Sequence, residues 1–146
     1  MSFEKNRSAG YLANHMARLF ALGLAARIKP LGLAPAQFMT LLALWEEDGL
    51  TQKELVRRLD VEQATMANTL ARMERDGLIA REPHPEDRRA QCVRLTDTAR
   101  ALEGEAKAAA TAANEQALAG FSKTERARFL DFMQRAIAAM QAVEEG

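Results

Sequence analysis

Residues 51–95 hold two short helical patterns that meet at a tight turn, then a strand, an Arg-bearing loop and a second strand. Longer helical patterns flank that segment on both sides. Together these predict a mainly α chain: a winged helix-turn-helix with a small β-wing and N- and C-terminal dimerisation helices.

The elements follow in order. Leu12, Met16, Leu19, Phe20, Leu24 and Ile28 recur at helical spacings, and Pro30 with Gly32 ends that first helix. Pro35 fits the first turn of a second helix, on which Phe38, Leu41, Leu42 and Trp45 share a face; Gly49 closes it. Thr51 and Glu54 form a capping box, and Leu55, Val56 and Leu59 make the apolar side of a third helix. Leu59-Asp60-Val61 is the turn, where Asp60 tolerates a left-handed backbone better than most side chains.

The next helix is expected to start at Glu62, with acid at its positive end. Met66, Leu70 and Met73 recur at i, i+4 and i+7 and should face the core, leaving Gln63, Thr65, Asn68, Thr69 and Arg72 on the other side. Gly77 stops this helix and Leu78-Ile79 begins a strand. In the returning strand, alternation places Val93 and Leu95 on one face and Cys92 and Arg94 on the other. Thr96 then caps a helix carrying Leu102, Ala106, Ala109, Ala113 and Ala117, small side chains that let another helix approach closely. Gly120-Phe121 interrupts the pattern. Ser122 with Glu125 caps a last helix bearing Phe129, Leu130, Met133, Ile137 and Met140.

A small winged domain cannot cover both terminal apolar stripes, so a homodimer is expected. The division read from the sequence is a dimerisation helix over 1–34, a winged helix-turn-helix over 35–95 and dimerisation helices over 96–146.

The polar side of the fourth helix suits base edges. Asn and Gln make paired hydrogen bonds to adenine, Arg to guanine, and a Thr methyl touches the thymine methyl. Any amphipathic helix also displays a solvated polar face; the adjoining turn and wing favour double-stranded DNA. The loop Pro83-His84-Pro85-Glu86-Asp87-Arg88-Arg89 joins two prolines to two adjacent arginines, which suits a narrow minor groove. Alternatively Asp87 pairs with an Arg to stiffen the hairpin, and both can hold. The candidate DNA-binding residues are Thr51, Gln52, Gln63, Ala64, Thr65, Asn68, Thr69, Arg72, Arg88 and Arg89.

The run Glu74-Arg75-Asp76-Gly77-Leu78-Ile79-Ala80-Arg81 and the wing sequence Pro85-Glu86-Asp87-Arg88-Arg89-Ala90, followed by Leu95-Thr96, resemble the MarR family of bacterial winged-helix regulators. The stretch from Glu62-Gln63-Ala64-Thr65 through Thr69-Leu70 resembles the recognition helix of its SlyA-like branch. Asp87-x-Arg89 resembles the family's wing motif, which implies Arg89 as the minor-groove residue. Met73 stands where the family usually has Leu, His84 where it often has Asp, Ala99 where Gly is common, and Asn68 where a cation is frequent.

The resemblance also implies a two-fold dimer and a small aromatic or phenolic effector. In this chain the junction for that effector should involve His15, Met16, Leu19, Phe20, Phe38, Leu42 and Trp45, with His15 placed to orient an anion. The plainer reading is that these are ordinary core or interface residues.

Composition limits other functions. The 146 residues carry 20 basic and 20 acidic side chains, so any attraction to phosphate must be local. One cysteine excludes an internal disulfide framework. The N-terminus lacks a signal-peptide core, and the apolar run 19–26 between Arg18 and Arg27 is far short of a membrane span, so a cytoplasmic protein is expected. His15, His84 and Cys92 offer no zinc-like spacing. No phosphate loop, HExxH or nucleophile–base pair points to an enzyme, and no cofactor is expected. Two alternatives remain: a winged-helix protein-interaction module without DNA binding, and a redox sensor at Cys92. Against the second, peroxide-sensing members of the family carry their cysteine near the start of the first helix.

Overall fold

The computed structural model describes residues 2–145. In chain order it has α1 (Ala9–Ile28), α2 (Pro35–Glu46), β1 (Leu50–Thr51), α3 (Gln52–Leu59), α4 (Gln63–Arg75), β2 (Ile79–Pro83), β3 (Gln91–Leu95), α5 (Asp97–Ala117) and α6 (Lys123–Glu145). No single helix among the described residues is long and apolar enough to cross a membrane.

Side-chain caps set where several helices begin. Thr51 Oγ1 accepts from the Glu54 amide at 3.1 Å, and the Glu54 carboxylate accepts from the Thr51 amide at 3.3 Å. Ser122 and Glu125 repeat the arrangement at 3.1 and 2.8 Å. Thr96 Oγ1 accepts from the Ala99 amide and donates to the Gly77 carbonyl, so the start of α5 is tied to the turn after α4. Backbone turns close the other ends. α1 passes through a 3₁₀ turn at Lys29–Leu31 into left-handed Gly32 (φ 77°), and Gly77 (φ 75°) ends α4.

The sheet is antiparallel in the order β1-β3-β2, with Leu50 opposite Val93 and Ile79 opposite Leu95. β1 is a strand the sequence pattern did not predict. Its two residues have no alternation to read, and they pair because Gly49 turns the chain back against β3, donating to the Val93 carbonyl at 3.1 Å.

Two compact units divide at Ala113 and Asn114. In the first, α2, α3, α4, the sheet and the start of α5 share one core, including Leu41, Leu44, Leu55, Met66, Leu70, Met73 and Val93. The predicted stripe Met66, Leu70 and Met73 is fully buried; each such side chain contributes about 2 kcal/mol. In the second unit Phe121 meets Phe129 edge to face at 5.5 Å, and Arg126 pairs with Glu115 at 2.7 Å.

The ends of α2 and α4 are joined by one buried side chain. Gln37 Oε1 accepts from the Ala34 amide at 3.1 Å, and its Nε2 donates to Asp76 Oδ2 at 2.9 Å. That bond, and then a second one from Arg75, holds the Asp76 carboxyl below its ordinary range. Because the folded value is depressed, the stabilisation is present above the unfolded carboxylate value of about 4 and is lost as pH falls through the folded one. Urea unfolding should therefore show Asp76→Ala less stable than wild type at neutral pH, with the gap closing as pH drops toward about 3. A gap that stays constant over that range would contradict the link.

Candidate nucleic-acid interface

The turn between α3 and α4 depends on Asp60, which is left-handed (φ 53°, ψ 45°), the one non-glycine with positive φ among the described residues. Glu62 is extended and serves as the N-cap, so α4 begins at Gln63, one residue later than the sequence suggests. With Met66, Leu70 and Met73 turned inward, Gln63, Ala64, Thr65, Asn68 and Arg72 are exposed. Arg72 has no side-chain partner among the described residues.

Thr69 departs from the expected face. It is 8 % exposed, and its hydroxyl donates to the Thr65 carbonyl at 2.9 Å. Lying three residues after Met66 and four before Met73, it sits on the edge of the apolar stripe, and that spacing was the signal. The Thr51 hydroxyl is likewise occupied, capping α3 and donating to Glu54 at 3.0 Å. Gln52, first residue of α3, donates through Nε2 to Gln63 Oε1 at 3.3 Å.

The wing is a β2–β3 hairpin closed by side-chain acceptors. His84 Nδ1 accepts from the amides of Glu86 and Asp87 at 3.0 and 3.1 Å, so its ring proton sits on Nε2. His84 thus does the turn-closing work that a carboxylate performs at such a position. Asp87 Oδ1 accepts from the Arg89 backbone amide at 3.0 Å, so the alternative of an Asp87–Arg pairing that stiffens the hairpin is met through the backbone and, among the described residues, not through a guanidinium. Arg88 and Arg89 are exposed and have no ion pair among the described residues.

Other arginines near the wing are already matched. Arg94 pairs with Glu82 at 3.2 Å and lies over Gly49, where a Cβ would come within 2.7 Å of its Nη1. Arg81 pairs with Glu74 at 3.7 Å. Cys92, expected on the outer face with Arg94, is instead 3 % exposed, in the strand that pairs with Thr51 on one side and Glu82 on the other. A buried thiol is a poor oxidation target.

The residues expected to hold an effector are only partly gathered. Phe38 and Trp45 meet edge to face at 6.1 Å, Trp45 Nε1 donates to the Ala99 carbonyl at 3.2 Å, and Leu42 packs beside them on the core. Lys107 stands 5.8 Å over the Trp45 ring. Met16 and Phe20 are half-buried; His15 lies against Tyr11 at 6.2 Å and is exposed, as is Leu19 at 57 %. A hollow of about 370 Å³ is lined by Ser2, Phe3, Glu4, Arg7 and Ser8, none of the expected residues.

Sequence reasoning missed Asp48. Its Oδ1 accepts from the Gly49 and Leu95 amides, both at 2.9 Å, and Oδ2 pairs with Arg100 at 3.1 Å, fastening β3 and α5 to the end of α2. An Asp-Gly pair closing a helix was the available signal.

The wing geometry makes a specific demand on His84. In His84→Ala the amides of Glu86 and Asp87 should exchange with solvent roughly five-fold faster, about 1 kcal/mol per lost bond, whereas His84→Asp retains protection. Unchanged exchange in the alanine variant, read by NMR, would refute the assigned acceptor.

The MarR family model matches residues 33–90. The HTH-type transcriptional regulator TtmR of Methylorubrum extorquens is 40% identical over 68 residues, which span 47% of this chain and 35% of that protein. The HTH-type transcriptional repressor Mb2911 of Mycobacterium bovis is 27% identical over 135 residues, 92% of this chain and 97% of that one. Among solved structures, a probable transcriptional regulator from Pseudomonas aeruginosa superposes with a TM-score of 0.84 at 30% identity, covering 91% of this chain and 99% of its own. The PcaV regulator of Streptomyces coelicolor, solved in complex with its natural ligand, shares the fold with a TM-score of 0.83 at 24% identity over 96% and 99% of the two chains. By its winged helix-turn-helix and these matches, the chain belongs to the MarR family of transcriptional regulators.

Proposed function

We propose that the protein is a sequence-specific DNA-binding repressor that reads a pseudo-palindromic operator as a homodimer. The observation that carries this is the outer face of α4, exposed and polar opposite a buried stripe, beside a wing whose Arg88 and Arg89 have no ion pair among the described residues. Gln63, Thr65, Asn68 and Arg72 are the base-reading set, and Arg89 the minor-groove contact.

The homodimer rests on exposed apolar side chains. Leu12, Leu19 and Leu22 are open on α1, as are Leu130, Phe132, Ile137, Met140 and Val143 on α6. Stripes of that kind call for burial against another surface, and a second copy supplies a self-complementary one. The segments 1–34 and 96–146 are therefore assigned to dimerisation, and 35–95 to DNA. Two α4 helices about a two-fold axis then meet half-sites about one helical turn (~10 bp) apart.

A small aromatic or phenolic acid is proposed as effector, held near Phe38, Leu42 and Trp45 with Met16, Phe20, Leu19 and His15 from α1. The ligand-bound PcaV neighbour supports this reading. Such a ligand acts only through a difference in its affinity for the two conformations.

Cleavage footprinting should protect two symmetric half-sites; one asymmetric half-site would contradict the dimeric reading. Arg89→Ala should lower affinity roughly ten-fold across sequences, while Asn68→Ala changes base preference at one position. Adding benzoic and hydroxybenzoic acids to the operator complex should release the protein, and unchanged affinity with a broad set of them would remove the effector from the proposal.

A further inference from the structure

α3 and α4 each open with a glutamine, Gln52 and Gln63, eleven residues apart, and the two side chains are bonded across the turn: Gln52 Nε2 donates to Gln63 Oε1 at 3.3 Å. A lone glutamine on the outer face of a helix samples many rotamers and loses that freedom on binding. Tying Oε1 to a neighbouring helix reduces the loss beforehand.

The bond also gives the amide a direction. Gln63 Oε1 spends one lone pair on Gln52 and keeps the other beside the two hydrogens of Nε2. That acceptor–donor pair complements adenine N6–H and N7 in the major groove. Gln52 retains a second Nε2 hydrogen at the N-terminal end of α3, where a phosphate oxygen finds a donor. A phosphate there would favour the donor orientation of Gln52, and hence the acceptor orientation of Gln63.

We propose that Gln52 is a positioning residue that orients the Gln63 amide, and that the pair makes adenine the preferred base at one position of each half-site. This rests on the DNA-binding reading above. It gives Gln52 a role in base choice although the base is touched by Gln63.

The test uses the full chain and selection from randomised duplexes. Gln63→Ala should lose adenine preference at one position per half-site, which identifies the base. Replacing that adenine with 7-deazaadenine, which lacks the N7 acceptor, should cost wild type roughly ten-fold in affinity and Gln63→Ala almost nothing. Gln52→Ala should cut the wild-type penalty to about three-fold or less, and the double variant should match Gln63→Ala, the mark of a coupled pair. Gln52→Glu, which cannot donate to Oε1, should also lose the preference. Both positions are at the surface, so unfolding curves should coincide with wild type. A full 7-deazaadenine penalty in Gln52→Ala, or an adenine preference that survives in Gln63→Ala, overturns the proposal while leaving DNA binding intact. A wild-type protein that binds no duplex overturns the DNA-binding reading, and the pair falls with it.

Discussion

Three apolar side chains on α4, Met66, Leu70 and Met73, set the direction in which that helix faces. They are spaced by four and three residues, lie within a stripe narrower than the helix, and are almost completely removed from water. Rotating α4 to bury its polar side would expose all three, at a cost of about 6 kcal/mol, comparable to the whole stability of a small domain. The outward display of Gln63, Thr65, Asn68 and Arg72 is thus a consequence of core packing, and it requires no special interaction on the outer face. What the outer face must supply is only the left-handed residue at Asp60, which lets α3 and α4 cross tightly enough to share Leu55 and Leu70 in one core.

The neutral net charge fits this arrangement once the ion pairs are located. Acids are spent on arginines that hold the scaffold: Glu47 on Arg58, Glu74 on Arg81, Glu82 on Arg94, Asp48 and Asp97 on Arg100. Exposed pairs of this kind add at most about 1 kcal/mol each, so their main effect is local neutralisation. Arg72 on α4 and Arg88 and Arg89 on the wing have no acid assigned to them among the described residues. The projecting parts thus carry guanidinium groups that no carboxylate engages, although Glu86 and Asp87 share the wing with Arg88 and Arg89, and screening at physiological salt, with a Debye length of about 8 Å, limits the reach of the balanced charges behind them.

The sequence was legible wherever one rule decided an element. Periodicity placed α1, α2, α4 and α6, and the Thr51–Glu54 and Ser122–Glu125 boxes marked helix starts because a capping residue is chosen by its own few neighbours. It failed where two environments compete for one residue. Thr69 lies at the margin of a stripe, where chemistry argues for solvent and position argues for the core; bonding its hydroxyl to the Thr65 carbonyl lets position win. Alternation places Cys92 outside because it assumes a strand with one wet face, and β3 buries Cys92 as well as Val93 and Leu95. The Nδ1 of His84 closes a local turn, accepting from amides two and three residues on, whereas Asp48 meets the Leu95 amide and Gln37 the Asp76 carboxylate across long separations that no local pattern spans. The same is true of the Gln52–Gln63 contact, since eleven residues separate its partners.

Those unread contacts also determine how the first unit can move. Gln37 joins the start of α2 to the end of α4 through Asp76, Trp45 joins the end of α2 to α5 through the Ala99 carbonyl, and Asp48 joins α2 to β3 and α5. Each link is short, and all three engage side chains that are partly or wholly buried, where breaking a bond leaves an unsatisfied group. α2 is thus fastened at its start to α4 and at its end to β3 and α5. Phe38 and Trp45 lie on α2 between Gln37 and Asp48, so the aromatic pair packs on the stretch of helix that is held at both ends.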